Sequence, residues 1–216
     1  MKCFYFEMTE ELYKQASHPI RTKEDIIALL VNTIKLLVSM PAITERDCRQ
    51  ENKIILFVDK MSRLFFCMKD KIFTVNFPFS VFESDTTESI TIRYRHVEID
   101  SYLSSLIISV FVDNETYAIP MDDMKEFVFQ HMAENGWDDG DPDDVCEIIK
   151  KLAIFEAGYL RYDHDEERAN GRLHPENHID FCYESSNEIK VGIDTLVDHK
   201  WMIDLANINT ECKFLK

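Results

Sequence analysis

The residues from Lys53 to Val112 read as sheet, and that run constrains the fold most. Ile54–Val58 and Leu64–Met68 are short apolar runs. In Ile72–Phe79, Phe73, Val75, Phe77 and Phe79 alternate with Thr74 and Asn76, the period of a strand with one buried face. Pro78 has no N–H to give a ladder and places that strand at an edge. Ser89–Val97 alternates Ile90, Ile92 and Tyr94 with Thr91, Arg93 and Arg95. Leu106–Val112 is almost continuously apolar and reads as a central strand. With turns at Lys69-Asp70-Lys71 and Asp113-Asn114, the pattern is an antiparallel meander.

A helix precedes it. Residues 1–18 mix aromatic and charged side chains and end at His18-Pro19. Thr22 can cap the next helix, with Asp25 at the capping-box position. Ile26, Leu30, Ile34 and Leu37 share one face and Ile27, Val31 and Val38 another, so this helix is buried on most sides until Pro41 stops it.

The texture changes after Pro120, and no glycine precedes Gly136. Met121, Met124, Phe127, Val128 and His131 have helical spacing, and Asn135-Gly136 ends that helix. Asp141 is an N-cap, Pro142 suits the first helical position, and Val145, Ile148, Ile149 and Leu152 form a buried stripe, with Gly158 as the stop. Three short strands follow, Tyr159–Tyr162, His178–Tyr183 and Glu188–Ile193, the last two a hairpin across Ser185-Ser186-Asn187. A final helix from about Asp198 repeats Trp201, Leu205, Ile208 and Cys212 on one face. The expectation is an α+β fold: an N-terminal helix with an antiparallel sheet, then two helices, a β-hairpin unit and a C-terminal helix. It reads as one domain of residues 1–216, divisible into 1–120 and 121–216.

Composition bounds the function. The net charge is −16, which opposes direct contact with nucleic acid and favours solubility or docking onto a basic partner. Six scattered cysteines without a paired spacing fit neither a zinc knuckle nor a secreted disulfide scaffold. No signal peptide is visible, and no apolar run approaches the ~20 residues needed to span a bilayer. The chain reads as cytoplasmic. It has no G-x-S-x-G elbow and no phosphate-binding glycine loop. The seven carboxylates from Glu134 to Glu147 decorate a helix start and do not fit an EF-hand. His131, on an apolar helix face, reads as packed.

Chemistry-bearing side chains cluster between Tyr159 and Ile193. In His174-Pro175-Glu176-Asn177-His178-Ile179-Asp180, an inward Ile179 puts His178 and Asp180 together on the opposite face. Asp163 ends the neighbouring strand and His174 stands at the loop exit. Asp163, His174, His178 and Asp180 could hold a divalent metal, Mg²⁺, Mn²⁺ or Zn²⁺, and activate its water. The plainer reading is that His178 and Asp180 bond each other or nearby backbone and pin a long loop. Asp180, with Glu188 and Lys190 on the hairpin partner, also has the acid and acid-x-Lys arrangement of restriction-nuclease-like folds, with Glu147 as a further acid.

Leu160–Asp163 (LRYD) followed by His174–Phe181 (HPENHIDF), a strand and a closing helix resembles a pattern of uncharacterised small bacterial proteins from genomic islands and phage-defence neighbourhoods. The similarity covers about the last 60 residues. Lys190 matches the basic residue that follows the HPxxH strand in such proteins. The resemblance implies a bacterial accessory protein working with a larger partner. Two functions follow: a non-catalytic subunit or adaptor of a multi-protein system such as antiviral defence, or a metal-dependent nuclease or phosphodiesterase using Asp163, His174, His178, Asp180, Glu188 and Lys190.

Overall fold

In a computed structural model, residues 1–48, 50–84, 88–112, 120, 123–137, 140–184 and 189–214 are described. The fold is α+β. The chain forms two compact units, one of residues 1–22, 43–77 and 157–216, the other of residues 23–42 and 78–156.

The first unit is built on a seven-stranded antiparallel sheet. Its strands are β1 (Lys2–Glu7), β2 (Lys53–Val58), β3 (Arg63–Cys67), β4 (Lys71–Asn76), β8 (Leu160–His164), β9 (Asn177–Phe181) and β10 (Ile189–Gly192), in that spatial order. The late hairpin thus extends the early meander: β8 pairs with β4 although more than 80 residues separate them. Strand β1 and helix α1 (Glu10–Ser17) occupy the stretch that carries no clear period in the sequence. Thr9 caps α1, its hydroxyl accepting from the Leu12 amide at 3.3 Å. Helix α6 (His199–Ala206) covers one sheet face. Met202, with Trp201 and Leu205, packs on Ile55, Phe57, Phe65, Ile72, Tyr162 and Ile179. Asp198 caps it through the Trp201 amide at 2.8 Å.

The second unit holds α2 (Lys23–Ser39), a three-stranded sheet of β5 (Ser80–Glu83), β6 (Ile90–Tyr94) and β7 (Val97–Glu98), and helices α3 (Ser101–Val112), α4 (Met124–Glu134) and α5 (Pro142–Ile154). Leu106, Val110, Val128, Met132, Val145 and Ile149 form a core from the last three helices. Helix α5 begins as its sequence requires, with Asp141 accepting from the Asp143 amide at 2.9 Å. His131 is buried and bonded to the Ser109 hydroxyl at 2.8 Å, the packed role expected of it.

Several elements differ from the sequence reading. Leu106–Val112 is the end of a helix, not a central strand. Asp100 caps that helix through the Leu103 amide at 2.7 Å, and the hydroxyls of Ser105 and Ser109 donate to the carbonyls of Ser101 and Leu106. A short apolar run has no period to tell helix from strand, and the upstream cap decides. β4 ends at Asn76 and is paired on both sides, so Pro78 lies beyond the strand and marks no edge. Both its faces are buried, Thr74 included, because Thr74 Oγ1 accepts from Arg63 Nε at 3.1 Å. The Ser89–Val97 run breaks at Arg95, whose φ of 54° turns the chain between β6 and β7. Helix α5 stops at Ile154, before Gly158, and α6 stops at Ala206, leaving Ile208 and Cys212 exposed outside it. The expected turns at Asp113-Asn114 and Ser185-Ser186-Asn187, and Met121, lie outside the described residues. No described helix is long and apolar enough to cross a membrane.

Candidate functional site: an arginine, histidine and aspartate network

Register assembles the polar cluster. Residues directly opposite in an antiparallel pair share a face with Cβ atoms ~5 Å apart. Across β4, β8, β9 and β10 one row reads Lys71, Asp163, His178, Gly192. The adjacent row reads Phe73, Arg161, Asp180, Lys190. The alternate residues Ile72, Tyr162 and Ile179 face the opposite core. His178 and Asp180 therefore share a face, as alternation about Ile179 requires. That face is closed too: the two residues are 2% and 1% exposed.

Arg161 holds the cluster together. Its Nε donates to Asp163 Oδ2 at 2.7 Å and its Nη2 to Asp180 Oδ2. Burial works against the Arg161 charge, but Tyr159, Asp163 and Asp180 outweigh it and hold the guanidinium above its ordinary pKa. Burial pushes the Tyr159 phenol up to about 12. His178 Nε2 lies 3.7 Å from Asp163 Oδ2 and 3.9 Å from Asp180 Oδ2. Its Nδ1 carries a proton, because it donates to the Pro175 carbonyl at 2.8 Å. Lys190 Nζ stands 4.0 Å from Asp180 Oδ1, which is buried and has no hydrogen-bond partner among the described residues.

The same segment laces the connection between β8 and β9. Asn177 Oδ1 accepts from the Tyr162 hydroxyl at 2.6 Å and from His164 Nδ1 at 3.0 Å. His164 Nε2 donates to Glu166 at 3.2 Å. Burial lowers the His164 pKa, but these bonds and the Glu166 and Glu176 charges carry it above its ordinary value. The Asp165 amide donates to the Glu176 carbonyl at 2.8 Å, and the Asn170 amide to the His174 carbonyl at 2.8 Å. Between Asn170 and His174 the chain turns through Gly171 at φ 52°. Gly192 permits close contact with Pro175, where a Cβ would come within 2.8 Å. The loop thus has a defined path and presents Leu173, 85% exposed.

The six residues singled out by sequence divide accordingly. Asp163, His178 and Asp180 offer ligand atoms within 4.8 Å of one another. His174 stands outside that group; its ring packs edge-on against His178, centroids 4.9 Å apart, because its backbone closes the Asn170 turn. Lys190 faces Asp180 in register. Glu188 lies outside the described residues. Glu147 belongs to the second unit, where it pairs with Arg95 at 3.2 Å. Sequence reasoning missed Arg161, although its position two before Asp163 puts it on the same strand face. It also missed Lys71, which only the β4–β8 pairing brings to Asp163.

Fold and site together define a two-unit α+β protein whose seven-stranded sheet carries a partly buried network of Arg161, Asp163, His178 and Asp180. The chain matches no protein-family model, no curated protein and no solved structure.

Proposed function

We propose that the protein is a non-catalytic subunit or adaptor of a multi-protein bacterial system of the antiviral-defence kind, and that the loop of residues 165–176 docks a larger partner. The observation that supports this is the tie between motif and loop. His178, Asn177 and Pro175 spend their bonds on fixing a charged loop with Leu173 at its exposed turn. Pre-ordering a loop lowers the entropy cost of binding. Arg161 binds both carboxylates, Asp163 and Asp180, from within the sheet. A net charge of −16 steers association toward a basic partner face. The test is quantitative mass spectrometry of proteins that co-purify with the tagged chain from its native cells, wild type against Leu173→Asp. The reading expects one partner depleted by Leu173→Asp. An identical set from both, or none from either, overturns it.

A second reading, a metal-dependent nuclease or phosphodiesterase, is favoured by the His178 geometry. Its Nδ1–H is held by a backbone carbonyl and its Nε2 is aimed at two carboxylates, the orienting bond that metal-ligating histidines make. Asp163, His178 and Asp180 would then hold Mg²⁺, Mn²⁺ or Zn²⁺, with Lys190 beside them. Arg161 would compete with the ion for the same oxygens. Calorimetric titration with each metal decides. Stoichiometric binding lost in His178→Ala/Asp180→Ala supports this reading, and no binding by the folded wild type ends it.

A further inference from the structure

Outside the Arg161 network, a second set of ligand-type side chains meets at the base of the loop between β8 and β9. His164, the last residue of β8, stands directly opposite Asn177, the first of β9. The His164 amide donates to the Asp70 carbonyl at 2.9 Å, and the Asp165 amide donates to the Glu176 carbonyl at 2.8 Å. Strand pairing thus fixes the backbone around His164. Glu166 lies on the outgoing arm of the loop and Glu176 on the returning arm. One ligand atom from each of His164, Glu166 and Glu176 lies within 4.8 Å of the other two.

The imidazole separates this group from an ordinary acidic patch. Its Nδ1–H is held by Asn177 Oδ1 at 3.0 Å, and that oxygen also takes the Tyr162 hydroxyl at 2.6 Å. Nε2 is thereby turned toward Glu166 Oε1, 3.2 Å away. Metal-ligating histidines make this same orienting bond through the ring nitrogen that does not bind the ion. Glu176 Oε1 lies 3.6 Å from Nδ1. Both glutamates are exposed, so their side chains can close on an ion by rotation alone. Among the described residues neither pairs with a lysine or an arginine; Arg168 binds Asp165 instead, at 2.8 Å.

We propose that His164, Glu166 and Glu176 bind a zinc ion that ties the two arms of the loop together. One imidazole nitrogen and two carboxylate oxygens are a donor set that zinc accepts, whereas magnesium favours oxygen alone. Zinc takes the place of the proton that Nε2 shares with Glu166. His164 and Glu166 line a cavity of about 870 Å³ in the first unit, which gives an ion a path from solvent. Four carboxylates in the five residues from Asp163 to Glu167 draw cations to it. The site is distinct from the set of Asp163, His178 and Asp180, and it stands whether or not the loop docks a partner.

The experiment is a competition titration of zinc against a chromophoric chelator near neutral pH. It uses the untagged full chain carrying Cys182→Ser/Cys212→Ser, which removes the exposed thiols as zinc ligands. Onto this parent are placed Glu166→Gln/Glu176→Gln, at two exposed positions, and separately Asp180→Asn; circular dichroism checks that each is folded. The expected result is about one zinc per chain, held roughly tenfold or more weakly after Glu166→Gln/Glu176→Gln and unchanged after Asp180→Asn. No zinc binding by the folded parent overturns the proposal. So does equal binding by the parent and the glutamine variant, or magnesium binding as tightly as zinc. Zinc lost on Asp180→Asn but kept by the glutamine variant would put the ion in the Arg161 network and overturn it as well.

Discussion

Arg161 on β8 and Asp180 on β9 stand directly opposite each other, and the guanidinium donates from Nη2 to Asp180 Oδ2 while its Nε takes Asp163 Oδ2. One cation thus serves two carboxylates, the deeper of which is almost wholly buried. Removing one partner of such a pair strands the other charge, a cost of about 3 kcal/mol or more.

Arg161→Met should therefore lower the unfolding free energy by about 3 kcal/mol, and Arg161→Lys should recover only part of it, since an ammonium cannot fork to both carboxylates. Arg161→Met/Asp180→Leu should be more stable than Arg161→Met alone. Urea unfolding of the three variants measures this; an additive loss in the double variant would show that the two residues are not coupled.

Gly158 tests a different contact. Its φ is 53°, and a Cβ there would stand 2.6 Å from Asn76 Nδ2. Asn76 cannot yield freely, because its Oδ1 accepts from Arg63 Nη1 at 2.6 Å, and Arg63 also donates to the Gly158 carbonyl. Gly158→Ala should cost about 2 kcal/mol or more, left-handed strain and crowding together. Gly171→Ala, at a similar φ but with open space around it, should cost only about 1 kcal/mol. Their urea midpoints should rank in that order.

Lys71 predicts a pH dependence. With a folded pKa of about 8 against an ordinary 10.5, the unfolded chain binds the extra proton between those values. Below the folded pKa both states are protonated and the burial penalty is present in full. The Lys71 contribution to stability must then rise as pH climbs from about 8 to about 10. The stability of wild type minus that of Lys71→Met, which cancels the other titrating groups, should grow over that window. A flat difference would mean that the ammonium is not desolvated.

The thiols should separate by burial. Cys182 and Cys212 are exposed, whereas Cys48, Cys67 and Cys146 are buried and Cys3 is half-buried. Burial pushes the Cys67 thiol up to about 12 and raises those of Cys3, Cys48 and Cys146. A thiol reagent at pH 8 should label Cys182 and Cys212 rapidly and the others only on unfolding, as peptide mapping would show.

The sequence by itself determined the locally encoded elements. The apolar run after Thr22 makes α2, Asp141-Pro142 starts α5, Asp198 starts α6, and alternation about Ile179 puts His178 with Asp180. Each rests on contacts within a few residues, where capping and periodicity act. Only the tertiary structure decided that β8 joins β4, that Lys71 meets Asp163, and that Arg161 bridges Asp163 and Asp180. Those depend on strand order and register across long separations, and no local pattern carries them. Residues 106–112 show the boundary between the two: their apolar run suits strand or helix alike, and the Asp100 cap with the core of α3, α4 and α5 makes it a helix.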